Sequence, residues 1–199
     1  MELFANLKKN GLLIIIPFLV AMCFFSCTEE PQENKEQRKI YYDVKGFVEG
    51  QIFLLNGLKP KVSKTMTIGG QTTQVATQDI DWKKELELFA QADINKPAYR
   101  QSYEVSRPDS LSWIYVLKGN ESLPVQRLAI TLDTPDGLPA TVEAFLKSEN
   151  KLYRSEKHIQ LKCIIKDNRP RISSYHITGF QKLVTMDKKP FTVTSEVQY

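Results

Sequence analysis

The chain is poor in the residues that small folds use as staples or reagents. It has three cysteines and two histidines in 199 residues. Beyond Cys27 only Cys163 remains, so the rest of the chain must hold together by core packing and not by a disulfide of its own. The longest uncharged apolar run, residues 11–25, is 15 residues long and contains Pro17. That falls short of the ~20 residues a helix needs to cross a bilayer, and the proline weakens it further. No sign of charge dominates: 27 Lys+Arg stand against 23 Asp+Glu. A balance of +4 does not call for nucleic acid, and none is expected as a partner. The chain also lacks G-x-S-x-G, H-E-x-x-H, a Walker loop and G-x-G-x-x-G. No catalytic residue, metal or cofactor is therefore assigned, and no enzyme activity is expected.

The N-terminus carries the most specific signal. Lys8 and Lys9 form a short basic start, residues 11–25 an apolar core, and Ser26 a small residue before Cys27. These are the parts of a secretory signal. The stretch resembles a bacterial lipoprotein signal peptide ending in a lipobox, with Phe24-Phe25 departing from the usual aliphatic-then-small pattern. The resemblance implies cleavage after Ser26 and lipid attachment at Cys27. It places the protein in the cell envelope, anchored to the outer membrane and facing the periplasm or the surface. Thr28, in place of Asp, argues against retention in the inner membrane by the sorting rules of diderm bacteria. Glu29 and Glu30 resemble the acidic export signal of Bacteroidota surface lipoproteins. Residues 27–39 have no apolar residue after Cys27 and read as a disordered tether. Loss of residues 1–26 leaves 173 residues, a balance of +3 and one unmodified cysteine. The length suits one domain, residues 40–199.

Within that domain two helices are predicted. In residues 41–56, Val44, Phe47, Val48, Ile52 and Leu55 share one face, with Asp43 as cap and Asn56-Gly57 as stop. Gly46 and Gly50 fall on one side, where another backbone could approach. In residues 79–93, Trp82, Leu86, Phe89 and Ala90 form the second stripe, capped by Asp79 or Asp81. Between them, residues 62–77 read as a hairpin turning at Gly69-Gly70, with one wet face or an edge position. From Tyr99 the period becomes two. Strands are predicted at 100–105, 112–118, 126–133, 141–147, 152–165, 171–182 and 191–197, each gap carrying a turn signal.

Short loops between consecutive strands mean an antiparallel meander. Two helices with apolar stripes need a sheet face to cover. The expected fold is α+β: two helices on a curved antiparallel sheet of eight or nine strands. This order resembles the half-barrel of periplasmic lipoprotein carriers, in which acyl chains enter between helices and sheet. A nuclear-transport-factor-like or cystatin-like curled sheet would give a similar string. The runs YYDVKGFVEGQIFLLN and DWKKELELFAQADINKPAYRQSY also resemble an uncharacterised group of Bacteroidota lipoproteins, which implies class and location but no chemistry.

Three candidate sites follow. The aromatics Trp82, Phe89, Tyr103, Trp113 and Tyr115, with Tyr99, Phe145 and Tyr153, sit on elements that should surround the helix–sheet interface. They are candidates for lining a pocket for a lipid or other apolar ligand, or for filling the core. Asp109-Ser110-Leu111 resembles the short Bacteroidota O-glycosylation motif and makes Ser110 a candidate acceptor. His158 and His176 fall on paired strands joined at Asp167-Asn168. Their register puts them two to four residues apart, roughly 7–13 Å, too far to share a metal readily. Cys163 is expected to point inward beside Ile159, Leu161 and Ile165. The functional expectation is a non-enzymatic binding or envelope-assembly protein. The partners expected are the membrane through the lipid anchor, and a lipid or an envelope protein. A structural subunit with a dry core, or a hydrolase with an unrecognised site, are the alternatives.

Overall fold

The computed structural model describes residues 39–119, 121–135 and 137–199. The signal peptide 1–26, the lipid site Cys27 and all of the tether but Lys39 lie outside the described residues. The unit from Arg38 to Tyr199 is compact by itself. No helix in the described residues is long and apolar enough to cross a membrane.

Helix α1 runs Val44–Leu58. Asp43 caps it, its carboxylate accepting from the Gly46 N–H at 3.0 Å. A side chain at Gly46 would strike that carboxylate, so the glycine makes room for the cap. Gly50, by contrast, has open space beside it, and no backbone approaches there. The helix passes Asn56-Gly57 and stops two residues later. Lys59 is left-handed, and its N–H bonds back to Leu55 O at 2.9 Å.

Strands β1 (Lys61–Ile68) and β2 (Gln71–Thr77) form the hairpin. Gly69 and Gly70 both have positive φ, as a primed turn requires. The single helix expected over 79–93 is two short ones, α2 (Trp82–Glu85) and α3 (Glu87–Gln91). The break at Leu86 keeps Leu86 and Phe89 fully buried while Glu85 faces the sheet. Asp81, not Asp79, supplies the cap. A short 3-10 turn follows at Pro97–Tyr99.

Seven further strands follow: β3 (Tyr103–Ser106), β4 (Ser112–Leu117), β5 (Val125–Leu132), β6 (Pro139–Glu149), β7 (Tyr153–Lys166), β8 (Arg169–Leu183) and β9 (Lys189–Gln198). All nine strands form one antiparallel sheet in the order β2-β1-β9-β8-β7-β6-β5-β4-β3. It is a meander, except that the first hairpin returns to pair with the last strand. The fold is α+β, as expected. A bulge at Ser173 changes which residues of β8 point inward: Ile172 before it, Tyr175 and Ile177 after it.

The helices cover one face of the sheet. Val48, Leu55, Leu86, Phe89, Leu128, Leu161 and Tyr175 meet there in the core, with Phe89 edge-on to Tyr175 at 6.1 Å. Cys163 packs partly buried against this core, and burial pushes its thiol up to about 12. Ile165 of the same parity is exposed, because this end of the β7–β8 hairpin lies past the core.

One polar side chain of α1 is buried in the layer. Gln51 donates to Pro170 O at 2.9 Å and accepts from the Ile172 N–H at 3.2 Å. Gln51→Leu leaves both backbone groups without a partner, at about 1–3 kcal/mol each. A loss of about 2–6 kcal/mol is expected, read as a melting temperature lower by roughly 5–20 °C. An unchanged melting temperature would mean that water replaces the amide.

Candidate functional site

Most of the aromatics expected to line a pocket or fill the core are packed into the helix–sheet layer. Trp82, Phe89, Tyr103 and Tyr115 are each at most 4 % exposed. Tyr41 packs edge-on against Tyr103 at 5.8 Å and Tyr115 at 5.5 Å. The hydroxyls are spent within the protein. Tyr103 donates to Val125 O at 2.8 Å, Tyr41 donates to Arg100 O at 2.8 Å, and Tyr115 accepts from the Tyr42 N–H. Trp113 is half-buried, with the Arg107 guanidinium over its ring at 4.1 Å. Tyr99 packs against the core, and Tyr153 is half-buried at the far end of β7.

Phe145 is on the wrong face for that pocket. Val142, Ala144 and Leu146 of β6 point into the core, so Phe145 points away from the helices. It stacks on His158 with ring centroids 4.4 Å apart and planes 17° from parallel. Strand pairing places Arg127, Phe145, His158 and Thr178 in one cross-strand row. The neighbouring row reads Glu143, Gln160, His176 and Thr194. Arg127, Phe145 and His158 of the first row and Glu143, Gln160 and His176 of the second line an open groove of about 390 Å³.

The groove is polar but not fully self-satisfied. Gln160 donates to Glu143 at 2.8 Å, and His176 Nδ1 lies 3.0 Å from the Thr194 hydroxyl. Arg127 is exposed and makes no ion pair among the described residues. His158 is exposed too, with one ring face covered by Phe145. His176 stands opposite Gln160 and His158 opposite Thr178, the closer of the two expected offsets. Among the described residues no three of His, Cys, Asp and Glu converge as a metal ion would need.

A second polar cluster is internal. Glu85 accepts from Lys64 at 2.6 and 2.9 Å and from the Tyr175 hydroxyl at 2.6 Å. Burial first, and the Glu85 bond second, hold the Tyr175 phenol far above its usual range. The Ser195 hydroxyl beside it is fully buried. Tyr175 and Ser195 are at most 1 % exposed, so no substrate reaches either. The cluster latches α2 to the sheet. Two further carboxylates are held in surface ion pairs, Glu149 with Lys147 and Glu156 with Arg154.

Ser110 sits exposed on the β3–β4 turn. Asp109 shapes that turn by accepting from the Leu111 N–H at 2.8 Å and the Ser112 hydroxyl at 3.1 Å. These bonds hold its carboxyl below the usual range. The Ser110 carbonyl accepts from Arg107, and the residue as a whole is exposed.

Three of the groove residues, Arg127, Glu143 and Gln160, carry no motif in sequence. Alternation in TVEAFLK was enough to put Glu143 and Phe145 on one face. Only the strand register brings Arg127 to them. Comparison with family models, with curated proteins and with solved structures finds no match in any of the three.

Proposed function

We propose that the protein is a lipid-anchored, non-catalytic binding protein of the outer membrane, and that it binds through the open sheet face and not between helices and sheet. The N-terminal residues Lys8, Lys9, Ser26 and Cys27 support the anchoring. The observation that carries the binding site is the unpaired Arg127 beside the Phe145–His158 stack. A guanidinium takes a carboxylate in a bidentate fork. The stacked rings offer an apolar platform, and Glu143, Gln160 and His176 supply donors and acceptors for hydroxyls. That combination fits an acidic saccharide, a chemistry available to an exported protein.

The test is titration calorimetry of the Arg38–Tyr199 unit with uronic-acid oligomers and their neutral counterparts. Preference for the acidic oligomers is expected. Arg127→Gln removes a hydrogen bond to a charged group, which weakens binding about 10–100-fold. Equal binding of wild type and Arg127→Gln would remove the groove from the proposal. The filled helix–sheet layer favours a second reading, an assembly subunit with a dry core. Absence of any saccharide binding would leave that reading standing.

A further inference from the structure

Strands β7 and β8 end together at one end of the sheet, slightly past their neighbours. The β8–β9 ladder stops at Gln181–Lys189 and the β6–β7 ladder at Glu149–Arg154. The β7–β8 ladder continues to Tyr153–Leu183. The overhang is one or two residues, ~3–7 Å. The turn before β7 and the turn after β8 meet at this end, where the Val184 N–H donates to Leu152 O at 3.0 Å. The two turns form one tied tip.

The tip is apolar at its point and basic at its rim. Leu152 is 72 % exposed and Val184 67 %, with Leu183 and Met186 also exposed. Lys151, Lys182 and Lys189 surround them and make no ion pair among the described residues, and Lys188 lies over the Phe180 ring at 3.8 Å. Glu149 and Glu156 are occupied by Lys147 and Arg154, which leaves Asp187 as the one acidic residue of the turn. Single exposed apolar residues need no explanation, but a contiguous group rimmed by charge marks a contact surface.

We infer that this tip docks on an anionic lipid surface, Leu152 and Val184 entering the interface and the lysines meeting the headgroups. Three observations favour lipid over protein. Protein interfaces are depleted in lysine and rich in aromatic and arginine anchors, and this point carries four lysines around aliphatic side chains. A convex tip of four apolar residues does not offer the ~800 Å² per partner of a standard interface. A bilayer accepts a convex point, and lysine stems can lie along it with their ammonium groups at the headgroups. The inference is independent of the groove and of Cys27.

The experiment is co-sedimentation of the Arg38–Tyr199 unit, its fold checked by circular dichroism, with phosphatidylcholine vesicles and with vesicles that also contain phosphatidylglycerol. Binding is expected to the anionic vesicles only, and to fall with added salt. Changing Lys151, Lys182, Lys188 and Lys189 together to Gln weakens it by at least ~10-fold. The double variant Leu152→Ser, Val184→Ser weakens it separately, with salt dependence retained. No binding by the folded wild-type unit overturns the proposal, and so does unchanged binding by either variant. Both variants change only exposed residues, so loss of fold does not account for a loss of binding. An Arg127→Gln variant keeps full vesicle binding, which separates this surface from the saccharide groove.

Discussion

Cys27→Ser is expected to abolish lipidation, and with it either processing of the chain or its retention in the membrane fraction. A serine hydroxyl cannot form the thioether through which a lipoprotein carries its diacylglycerol. Each buried methylene of an acyl chain is worth about 0.8 kcal/mol, and stable anchoring needs more than one chain. Loss of the thiol thus removes the whole anchor at once. The measurement is fractionation with metabolic acyl labelling, followed by a high-salt wash. Wild type should carry label and resist the wash. The variant should carry none and remain as the unprocessed precursor or leave the membrane fraction. Residual membrane association of processed variant that washes off in salt belongs to the Leu152–Val184 tip. Wild-type processing and salt-resistant retention would rule out lipidation at Cys27.

Alkaline unfolding, steep and beginning just above pH 10, is the second large effect. Burial raises the phenols of Tyr103, Tyr115 and Tyr175 above their usual value of 10. All three are at most 4 % exposed. Above pH 10 the unfolded chain releases these protons and the folded chain keeps them. The stabilisation is complete below pH 10 and declines as pH rises. Tyr103 and Tyr175, the most strongly shifted, each contribute a slope of about 1.4 kcal/mol per pH unit, so the two give roughly 3 kcal/mol per unit, and Tyr115 adds to it in the same direction. Against a typical stability of about 5–15 kcal/mol, a rise of roughly two units is enough to unfold a domain at the lower end of that range. Tyr42 and Tyr199, each pushed up to about 12 mainly by burial, add to the effect at lower weight. Circular dichroism and tyrosinate absorbance should change together in one transition. Gradual titration near pH 10 with intact secondary structure would contradict the burial. Tyr103→Phe should lower the slope by up to about half, with a smaller loss of stability at neutral pH from the missing bond to Val125 O.

Most strands were legible because their faces differ in polarity. RLAITLD and HIQLKCII alternate cleanly, and the turns at Gly69-Gly70 and Asp167-Asn168 adopt the positive φ values those residue types tolerate. The histidine offset was readable for the same reason: matching the apolar faces of the two strands sets it, whereas the turn alone does not, because the Ser173 bulge shifts the register by one residue. Other features have no local signal. The break at Leu86 is invisible because two short helices carry the same apolar stripe as one long helix. The pairing of Val62 with Val197 joins residues far apart in the chain. The Ser173 bulge lies in a run, ISSY, whose polar serines suit either face. Phe145 misled through its size: an aromatic draws the eye to the core, while its neighbours Ala144 and Leu146 already point there. The groove needed the pairings of four consecutive strands at once, and Arg127 announces nothing by itself.

The entry of the chain into the domain has a mechanical consequence. Asn95 accepts from the N–H groups of Ile40 and Tyr41 and donates to Tyr42 O, and the Tyr115 hydroxyl takes the Tyr42 N–H. Asp93 in turn steadies the Asn95 amide at 3.2 Å. Tension applied through residue 39 thus falls first on side-chain bonds and only afterwards on the nine-stranded ladder. The amide works as a fuse. In a pulling experiment Asn95→Ala should let residues 40–42 peel away at low force, and the sheet should rupture at the force seen in the wild type.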